Sequence, residues 1–342
     1  MILLYGAYGY TGTLIAERAT ALGVQLLLGG RDEARLRPLA ERTGHPFRAF
    51  SLDAIDLTDV RVLLGAAGPF VHTAPKLVAA CLAQGTHYVD ITGEMPVFQH
   101  CHARGVDAES AGVVLLPGAG FDVVPSDCIA KFAAEQLPGA ERMKLSILSR
   151  GGASGGTART ATEAGLAGWV RRDGELVPAP IGSITGRTDF GDRERTTLAV
   201  PWADVLTAGW STGIPNIEVH FAVAPSVARA ARTAAALGGL LETRLVGALA
   251  RAWAARLPAG PDAAARARGS AVFVAEVERG NERFRARLTT PEGYTLTAIT
   301  ALECAVRASR GRVRPGFSTP SQAFGADFIT TFPGCVREAL PV

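Results

Sequence analysis

The sequence predicts an α/β protein: an N-terminal Rossmann domain with a doubly wound parallel sheet, then a second α+β domain with a mixed, largely antiparallel sheet. Up to about residue 127, short apolar runs alternate regularly with helical stretches, as in a parallel sheet covered by helices on both faces. The first of these runs leads directly into a glycine-rich turn. Beyond about Pro138, apolar residues recur at every second position, which is typical of antiparallel strands.

The glycine-rich turn GAYGYTG lies between the apolar run Ile2 to Tyr5 and a helix expected from Thr13 to about Leu22. In such a turn one glycine permits the tight bend, one lets the backbone approach a pyrophosphate, and one lets the helix pack on the sheet. The free N–H groups of the first helical turn then face the anion. The sequence therefore predicts a dinucleotide site made by Gly6, Tyr8, Gly9, Tyr10, Thr11 and Gly12.

The residue after the second strand indicates which dinucleotide binds. Sites specific for NAD usually place Asp or Glu there, where it binds the ribose 2′-hydroxyl. This chain instead ends the apolar run Val24 to Leu28 with Gly29-Gly30-Arg31. Because a guanidinium pairs well with a 2′-phosphate, we expect NADP(H) as the cofactor, bound by Arg31. Arg35 is a second candidate, although Arg35 and Arg37 also fit an ordinary solvated helix face.

Small and polar residues follow the later strands, at the sheet edge where open α/β sheets bind ligands. The cofactor is expected to contact Ala66, Ala67, Gly68, Pro69 and Gly93. Phe121 is a candidate for the substrate site, and Asp122 is a candidate acid or base, or alternatively a helix cap. His72 is a further catalytic candidate, because imidazole gains and loses a proton near neutral pH. Asp90 is interpreted as structural.

The second domain is expected to supply further site residues. A glycine-rich loop containing Thr157, a third catalytic candidate, and the nearby Arg159 could bind an anionic group at the start of a helix from Ala158 to Arg171. Asn216 and Glu218 are candidates for a polar or cationic substrate, or residues that only tie loops together. The hypothesis places Thr157, Arg159 and Asn216 across one pocket from Gly68, Pro69 and Asp122.

The expected domains are 1–127 for the dinucleotide and 128–304 for substrate binding and dimerisation. The second domain contains a hairpin with Ala271 to Glu278 and Arg283 to Thr289 as its strands. A helix is expected from Tyr294 to about Ala308 and another from Gln322 to Thr331. Residues from about 305 to 342 are candidates for helices that pack back on the first domain.

Composition narrows the classes of function. The net charge of +3 and the lack of a basic patch interleaved with aromatic residues argue against nucleic acid. The most apolar region, Ala222 to Leu257, contains several arginines and predicts soluble helices rather than a membrane span. Five scattered cysteines without a CxxC motif predict reduced thiols in a cytoplasmic protein. The cluster His100-Cys101-His102 cannot share one helix face, so no metal site is expected.

Together the motifs resemble the saccharopine dehydrogenase-like oxidoreductases, a group that includes the trans-acting enoyl reductases. The matching segments, in chain order, are GAYGYTG, GGR, AAGPF, THYVDITGE, GFDVVPSD, GGTARTATE, STGIPNIEV, TPEGYTLTA and GFSTPSQAFG. The resemblance implies NADP(H) binding and a dinucleotide domain joined to an α+β substrate domain. One departure is Thr73-Ala74, where many relatives have Tyr-Gly, so no role of that tyrosine carries over.

The expected function is that of an NADP(H)-dependent oxidoreductase, a reductase of a C=N or C=C bond in a small metabolite. We expect a homodimer. The alternative is a non-catalytic NADP(H)-binding regulator, which would need the cofactor site but no proton donor and no substrate pocket.

Overall fold

The computed structural model describes residues 1–150, 168–236 and 260–341. The chain forms two compact units, one of Met1–Val124 with Gly293–Gly325 and one of Pro125–Glu292 with Ala326–Val342. The N-terminal part of the first unit thus ends three residues before the expected boundary at 127. The unit also includes Gly293–Gly325, a segment from much later in the chain. Residues 293–304, expected in the second domain, group with the first unit, and residues 326–342 group with the second.

The first unit is built on a seven-stranded sheet with helices between its strands. Its strands are Ile2–Tyr5 (β1), Leu26–Gly30 (β2), Phe47–Ala49 (β3), Val62–Gly65 (β4), His87–Asp90 (β5), Val114–Leu116 (β6) and, much later in the chain, Gly316–Phe317 (β15). Its helices are Tyr10–Ala21 (α1), Glu33–Thr43 (α2), Phe70–Gln84 (α3), Met95–Ala103 (α4), Gly105–Ser110 (α5), Gly293–Ser309 (α10) and Pro320–Phe324 (α11).

The strand order is β15-β6-β5-β4-β1-β2-β3, and every neighbouring pair is parallel. The four residues of β1 and the four of β4 are all buried, because helices cover both faces of the sheet. The chain runs outward from β1 to β3 and then returns to place β4 on the other side of β1. The carboxyl ends of β1 and β4 therefore form the switch point at which such sheets bind ligands.

The second unit contains a nine-stranded mixed sheet. Its strands are Arg142–Arg150 (β7), Trp169–Arg172 (β8), Glu175–Pro178 (β9), Thr185–Asp189 (β10), Glu194–Ala199 (β11), Asn216–Ala222 (β12), Ser270–Arg279 (β13), Glu282–Pro291 (β14) and Val336–Leu340 (β16). Its described helices are Val124–Gln136 (α6), which begins at the unit boundary, Asp204–Thr212 (α7), Pro225–Ala236 (α8), Ala263–Arg268 (α9) and a 3-10 turn at Phe328–Thr331.

The central path of this sheet is β10-β11-β12-β7-β13-β14-β16, with β8 and β9 attached to β12. Its one parallel pair among the described strands is β7 with β12, and the other pairs are antiparallel. The fold class expected from the sequence is thus confirmed. The predicted hairpin is also confirmed, since β13 and β14 pair over their whole lengths.

Two local predictions were wrong. Trp169–Arg172 is a strand rather than the end of a helix, because it pairs with Glu175–Pro178 around a tight turn. The helix expected from Gln322 to Thr331 is split into α11 and the separate 3-10 turn. Of the residues from about 305 to 342, those up to Gly325 group with the first unit, whereas Val336–Leu340 is a strand that pairs with β14. No helix in the described part of the chain is long and apolar enough to span a membrane.

Candidate functional site

The predicted dinucleotide turn brings the ends of β1 and β4 into direct contact. Gly6 has a φ of +87°, a conformation that L side chains rarely adopt. A Cβ built on Gly6 would lie 2.8 Å from both the Cβ and the N of Ala67. A backbone hydrogen bond of 2.8 Å from Ala66 N–H to the Tyr5 carbonyl also joins the ends of β4 and β1. The segments that sequence analysis assigned to the cofactor therefore lie side by side.

The start of α1 is suited to an anion. Gly9 is its N-cap residue and has no side chain to cap the helix, and the first turn contains no acidic residue. The first N–H groups of a helix have no partner within the helix, and together with the positive end of the helix dipole they attract an anion. Beside this turn the ring of Tyr10 packs edge-on against that of Tyr294 in α10, with centroids 5.1 Å apart.

Gly12 brings the helix against the turn. A Cβ on Gly12 would lie 2.3 Å from the Gly6 carbonyl oxygen and 2.8 Å from that of Ala7, which no side chain can accommodate. A Cβ on Gly9 would meet only the Gly6 carbonyl oxygen, at 3.2 Å, and then the Ala66 oxygen at 4.0 Å. The two glycines therefore differ: Gly12 is required by packing within the protein, whereas a Cβ at Gly9 would meet only two backbone oxygens within 4 Å.

Arg31 lies directly after β2 with its side chain exposed. Among the described residues no carboxylate forms an ion pair with it. The following Asp32 caps α2, because its carboxylate accepts a hydrogen bond from Arg35 N–H. The ring of Tyr8, from the dinucleotide turn, packs against Gly30 at the end of β2, next to Arg31 in the chain. These residues fit an adenosine phosphate in chemistry and position.

Asp90, at the end of β5, is a buried structural link. Its carboxylate accepts hydrogen bonds from the Tyr88 hydroxyl at 2.7 Å, from Thr92 N–H at 3.0 Å and from Gly118 N–H at 2.9 Å. Burial raises the pKa of Asp90 to about 6, although these hydrogen bonds oppose the shift. The interaction joins the loops after β5 and β6, and these loops carry the two acidic residues described next.

Glu94 and Asp122 form an acidic pair at the carboxyl ends of β5 and β6. Both oxygens of Glu94 are engaged at the start of α3, where they accept from Phe70 N–H at 2.9 Å and from Val71 N–H at 2.7 Å. The carboxylate of Asp122 lies against Gly93, where a Cβ would be 2.8 Å from Asp122 Oδ2. Asp122 keeps some solvent access. Burial, and secondarily the charge of Glu94, raise the pKa of Asp122 to about 6.

A helix from far along the chain holds the loop that carries Asp122. In α10, Thr297 Oγ1 accepts a hydrogen bond of 3.0 Å from Phe121 N–H, and Thr300 Oγ1 donates one of 2.8 Å to the Ala119 carbonyl. The ring of Phe121 packs on Gly293, 3.2 Å from the position of a Cβ. Phe121 thus has a structural contact, while its role toward a substrate stays a prediction.

The other catalytic candidate of this unit, His72, lies in the first turn of α3 and is exposed. This helix begins at Phe70, where the Glu94 carboxylate accepts hydrogen bonds from Phe70 N–H and Val71 N–H. Next to it, Thr73 Oγ1 donates a hydrogen bond of 2.8 Å to the Ala67 carbonyl, so the hydroxyl that departs from the family pattern supports the loop of Gly68 and Pro69.

The candidates of the second unit are engaged within it. Asn216 donates to the Glu141 carbonyl at 3.0 Å and accepts from Asp173 N–H at 3.1 Å. Glu218 bonds to His220 Nε2 at 2.8 Å and to Arg172. The hydrogen bond to His220, assisted by Arg172, lowers the pKa of Glu218 to about 2. These contacts match the alternative in which Asn216 and Glu218 tie loops together.

Thr157 and Arg159 lie outside the described residues. Their roles, and the proposed substrate roles of Asn216 and Glu218, therefore stay predictions. Sequence reasoning did not foresee that the Arg35 guanidinium lies over the Tyr8 ring, that Glu94 caps α3, or that Thr297 and Thr300 of α10 hold the loop of Asp122. Only the first of these features has a local signal in the sequence. Gly30, the second glycine of the GGR segment, has no side chain and so leaves room for the ring of Tyr8.

We predict that Gly9→Val and Gly12→Val fail in different ways. Gly9 has φ −70° and ψ 164°, which valine tolerates, so Gly9→Val should fold but lose NADPH affinity by about a hundredfold or more as its branched side chain covers the anion site. Gly12→Val should lower the melting temperature strongly or prevent folding. Calorimetric titration and thermal unfolding distinguish the two, and full NADPH affinity in folded Gly9→Val would show that the turn is only structural.

Comparison with known protein families gives an independent result. Residues 2–115 match the family described as the saccharopine dehydrogenase NADP binding domain. Across the whole chain the fold resembles apo saccharopine dehydrogenase (L-Glu forming) from Saccharomyces cerevisiae, with a TM-score of 0.65, 10% identity and 99% coverage of both chains. At this identity the likeness concerns the fold alone.

Two mycobacterial relatives are more similar in sequence. A trans-acting enoyl reductase from Mycobacterium ulcerans is 32% identical over 188 residues, which cover 48% of this chain and 44% of the relative. A putative trans-acting enoyl reductase from Mycobacterium tuberculosis is 27% identical, and the match covers 97% of this chain and 95% of the relative. The glycine-rich turn, the strand order of the parallel sheet and this family match agree that residues 2–115 form an NAD(P)-binding domain of the saccharopine dehydrogenase type.

Proposed function

We propose that this protein is an NADPH-dependent reductase that transfers hydride to a C=C or C=N bond of a small metabolite. The observation that carries the proposal is the position of Asp122, a half-buried residue at the ligand-binding edge of the parallel sheet. Its pKa of about 6 lets it hold and release a proton in the physiological range. Reduction of a double bond needs one hydride and one proton, and Asp122 is suited to supply the proton.

The preference for NADPH over NADH rests on the end of β2. An exposed guanidinium at Arg31 occupies the place of the carboxylate that binds a ribose 2′-hydroxyl. It is available to a ligand, because the acids that follow it are used within α2: Asp32 caps the helix, and Glu33 pairs with Arg37 at 2.5 Å. A 2′-phosphate would gain a charge-assisted hydrogen bond here, whereas a 2′-hydroxyl would gain little.

The names of the relatives favour a C=C bond among the possible substrates. Both mycobacterial relatives are named enoyl reductases, one of them as putative, and the putative one aligns over 95% of its length. A C=C bond accepts hydride readily only if it is conjugated to an electron-withdrawing group such as a carbonyl. We therefore place an α,β-unsaturated carbonyl compound first and an imine second.

The residues at this edge of the sheet have different roles in the proposed reduction. Bound NADPH supplies the hydride, which would add to the β-carbon of the unsaturated carbonyl compound. Asp122 then donates its proton to the α-carbon and is left as a carboxylate, so charge and atoms balance. Glu94 contributes by position, since its negative charge beside Asp122 favours the protonated form of that residue. The backbone of Ala66, Ala67 and Gly68 would line the path of the nicotinamide.

We predict that Arg31→Ala weakens NADPH binding by about ten- to hundredfold and changes NADH binding by less than about twofold. One charged hydrogen bond contributes roughly 1.5–3 kcal/mol, and only NADPH carries the group that accepts it. Calorimetric titration of both cofactors against the wild type and the variant measures the difference. An equal loss for NADH and NADPH would contradict the assignment of Arg31 to the 2′-phosphate.

We predict that Asp122→Asn lowers the rate of reduction by about a hundredfold or more without weakening NADPH binding, since general acid catalysis contributes roughly 10²–10⁴-fold. The wild-type kcat/KM should fall as the pH rises through about 6, because the acid must be protonated. The assay follows NADPH oxidation with crotonyl-coenzyme A as the unsaturated probe and 2-methyl-1-pyrroline as the imine.

The matched control is His72→Gln, which should retain the wild-type rate and pH profile if Asp122 is the donor. A loss in His72→Gln with normal rates in Asp122→Asn would transfer the role to His72. Tight NADPH binding with no turnover of either probe, or of wider panels of unsaturated carbonyl compounds and imines, would favour the non-catalytic regulator.

A further inference from the structure

The segment from the end of β2 into α2 contains two arginines besides Arg31, the residue expected to bind the 2′-phosphate. Four charged side chains other than Arg31 lie between positions 32 and 37: Asp32, Glu33, Arg35 and Arg37. The two acids are engaged, Asp32 as the helix cap and Glu33 with Arg37. Within the described part of the chain neither Arg31 nor Arg35 has a carboxylate partner. Both side chains are also exposed, so two guanidiniums four positions apart are accessible to a ligand.

Arg35 is held by an aromatic ring rather than by an acid. Its guanidinium carbon lies 4.3 Å from the centroid of the Tyr8 ring, within the range of a cation–π contact. A guanidinium that stacks through its flat face keeps its N–H donors at the edge, so it can still bind an anion there. The contact thus orients Arg35 without consuming its charge or its hydrogen-bonding capacity.

Tyr8 is itself held in place by the end of β2. A Cβ on Gly30 would lie 2.6 Å from Tyr8 Cε1, so the ring occupies the space that a side chain at position 30 would need. Because Gly30 directly precedes Arg31 in the chain, the ring that stacks with Arg35 also lies against the residue that leads into Arg31.

The pair formed by Tyr8 and Arg35 also borders open space. A cleft of about 340 Å³ is lined by both residues, with Thr13, Ala34 and Leu39 along its walls. The stacked guanidinium is therefore accessible from outside and is not buried within a packed core. Arg37, two residues further along the same helix, stands apart in an exposed pair with Glu33 and is not part of this cleft.

We propose that Arg35, stacked on Tyr8, is the second cationic residue of the 2′-phosphate site, so that preference for NADP(H) depends on Arg31 and Arg35 together. The inference rests on the proposed cofactor and deepens it. A phosphate monoester carries about −1.5 to −2 charges at pH 7, so two guanidiniums match it better than one. Tyr8 acts as a positioning residue, and Gly30 leaves room for its ring.

The test uses the full-length protein and two fragments of the cofactor: adenosine 2′,5′-bisphosphate, which carries the 2′-phosphate, and 5′-AMP, which lacks it. Calorimetric titration gives the affinity of each variant for both. Arg35→Ala should lose about tenfold or more in affinity for the bisphosphate and less than about twofold for 5′-AMP. Arg37→Ala is the matched control and should behave as the wild type with both ligands.

Variants of Tyr8 test the positioning role. Tyr8→Phe keeps the ring and should retain the preference for the bisphosphate, whereas Tyr8→Leu removes the ring and should approach the loss seen in Arg35→Ala. Thermal unfolding checks that each variant is folded. Equal affinities of Arg35→Ala and Arg37→Ala for the bisphosphate would overturn the inference.

The result also separates this inference from the proposed function. If Arg31→Ala loses the preference for the bisphosphate and Arg35→Ala keeps it, the two-arginine site is wrong and the NADPH assignment stands. If the wild type binds the bisphosphate no more tightly than 5′-AMP, the preference for NADP(H) is wrong and the inference is overturned with it.

Discussion

The first unit depends on a steric constraint at its first turn, where the backbone around Gly12 touches that around Gly6 and no side chain fits between them. This contact sets the angle at which α1 leaves the sheet and so directs the N–H groups of its first turn. The same turn presses Gly6 against Ala67 and directs Tyr8 toward the end of β2. Three segments distant in sequence are thereby brought to one edge: the turn, the loop after β4 and the residues after β2.

Charge is distributed unevenly along that edge. At the end of β2 the acids are used within α2, which leaves Arg31 and Arg35 positive. At the ends of β5 and β6, Glu94 and Asp122 lie close enough for the charge of one to raise the pKa of the other. One part of the edge thus suits a phosphate and the other can carry a proton. This separation is what a reductase requires when its cofactor lies across the sheet with the nicotinamide far from the adenosine.

The fold could be predicted in outline because its strongest signals are local. A buried run, a glycine turn, a helix and a second buried run identify the parallel sheet, and alternation around Gly280 and Asn281 identifies the hairpin. Signals that depend on distant partners were missed. The strand Gly316–Phe317 is too short to recognise and exists because it pairs with β6. Thr297 and Thr300 hold the loop of Asp122 from about 180 residues away, which no local pattern reveals.

The central claim is that an NADP(H) site spans this edge of the sheet, from the two arginines to Asp122. The most direct measurement is a crystal structure of the protein with NADP⁺ bound. We expect the 2′-phosphate to contact Arg31 and Arg35, the pyrophosphate to lie beside Gly9, and the nicotinamide to lie near enough to Asp122 for a small substrate to fit between them. A nicotinamide remote from Asp122, or a 2′-phosphate that touches neither arginine, would contradict this account.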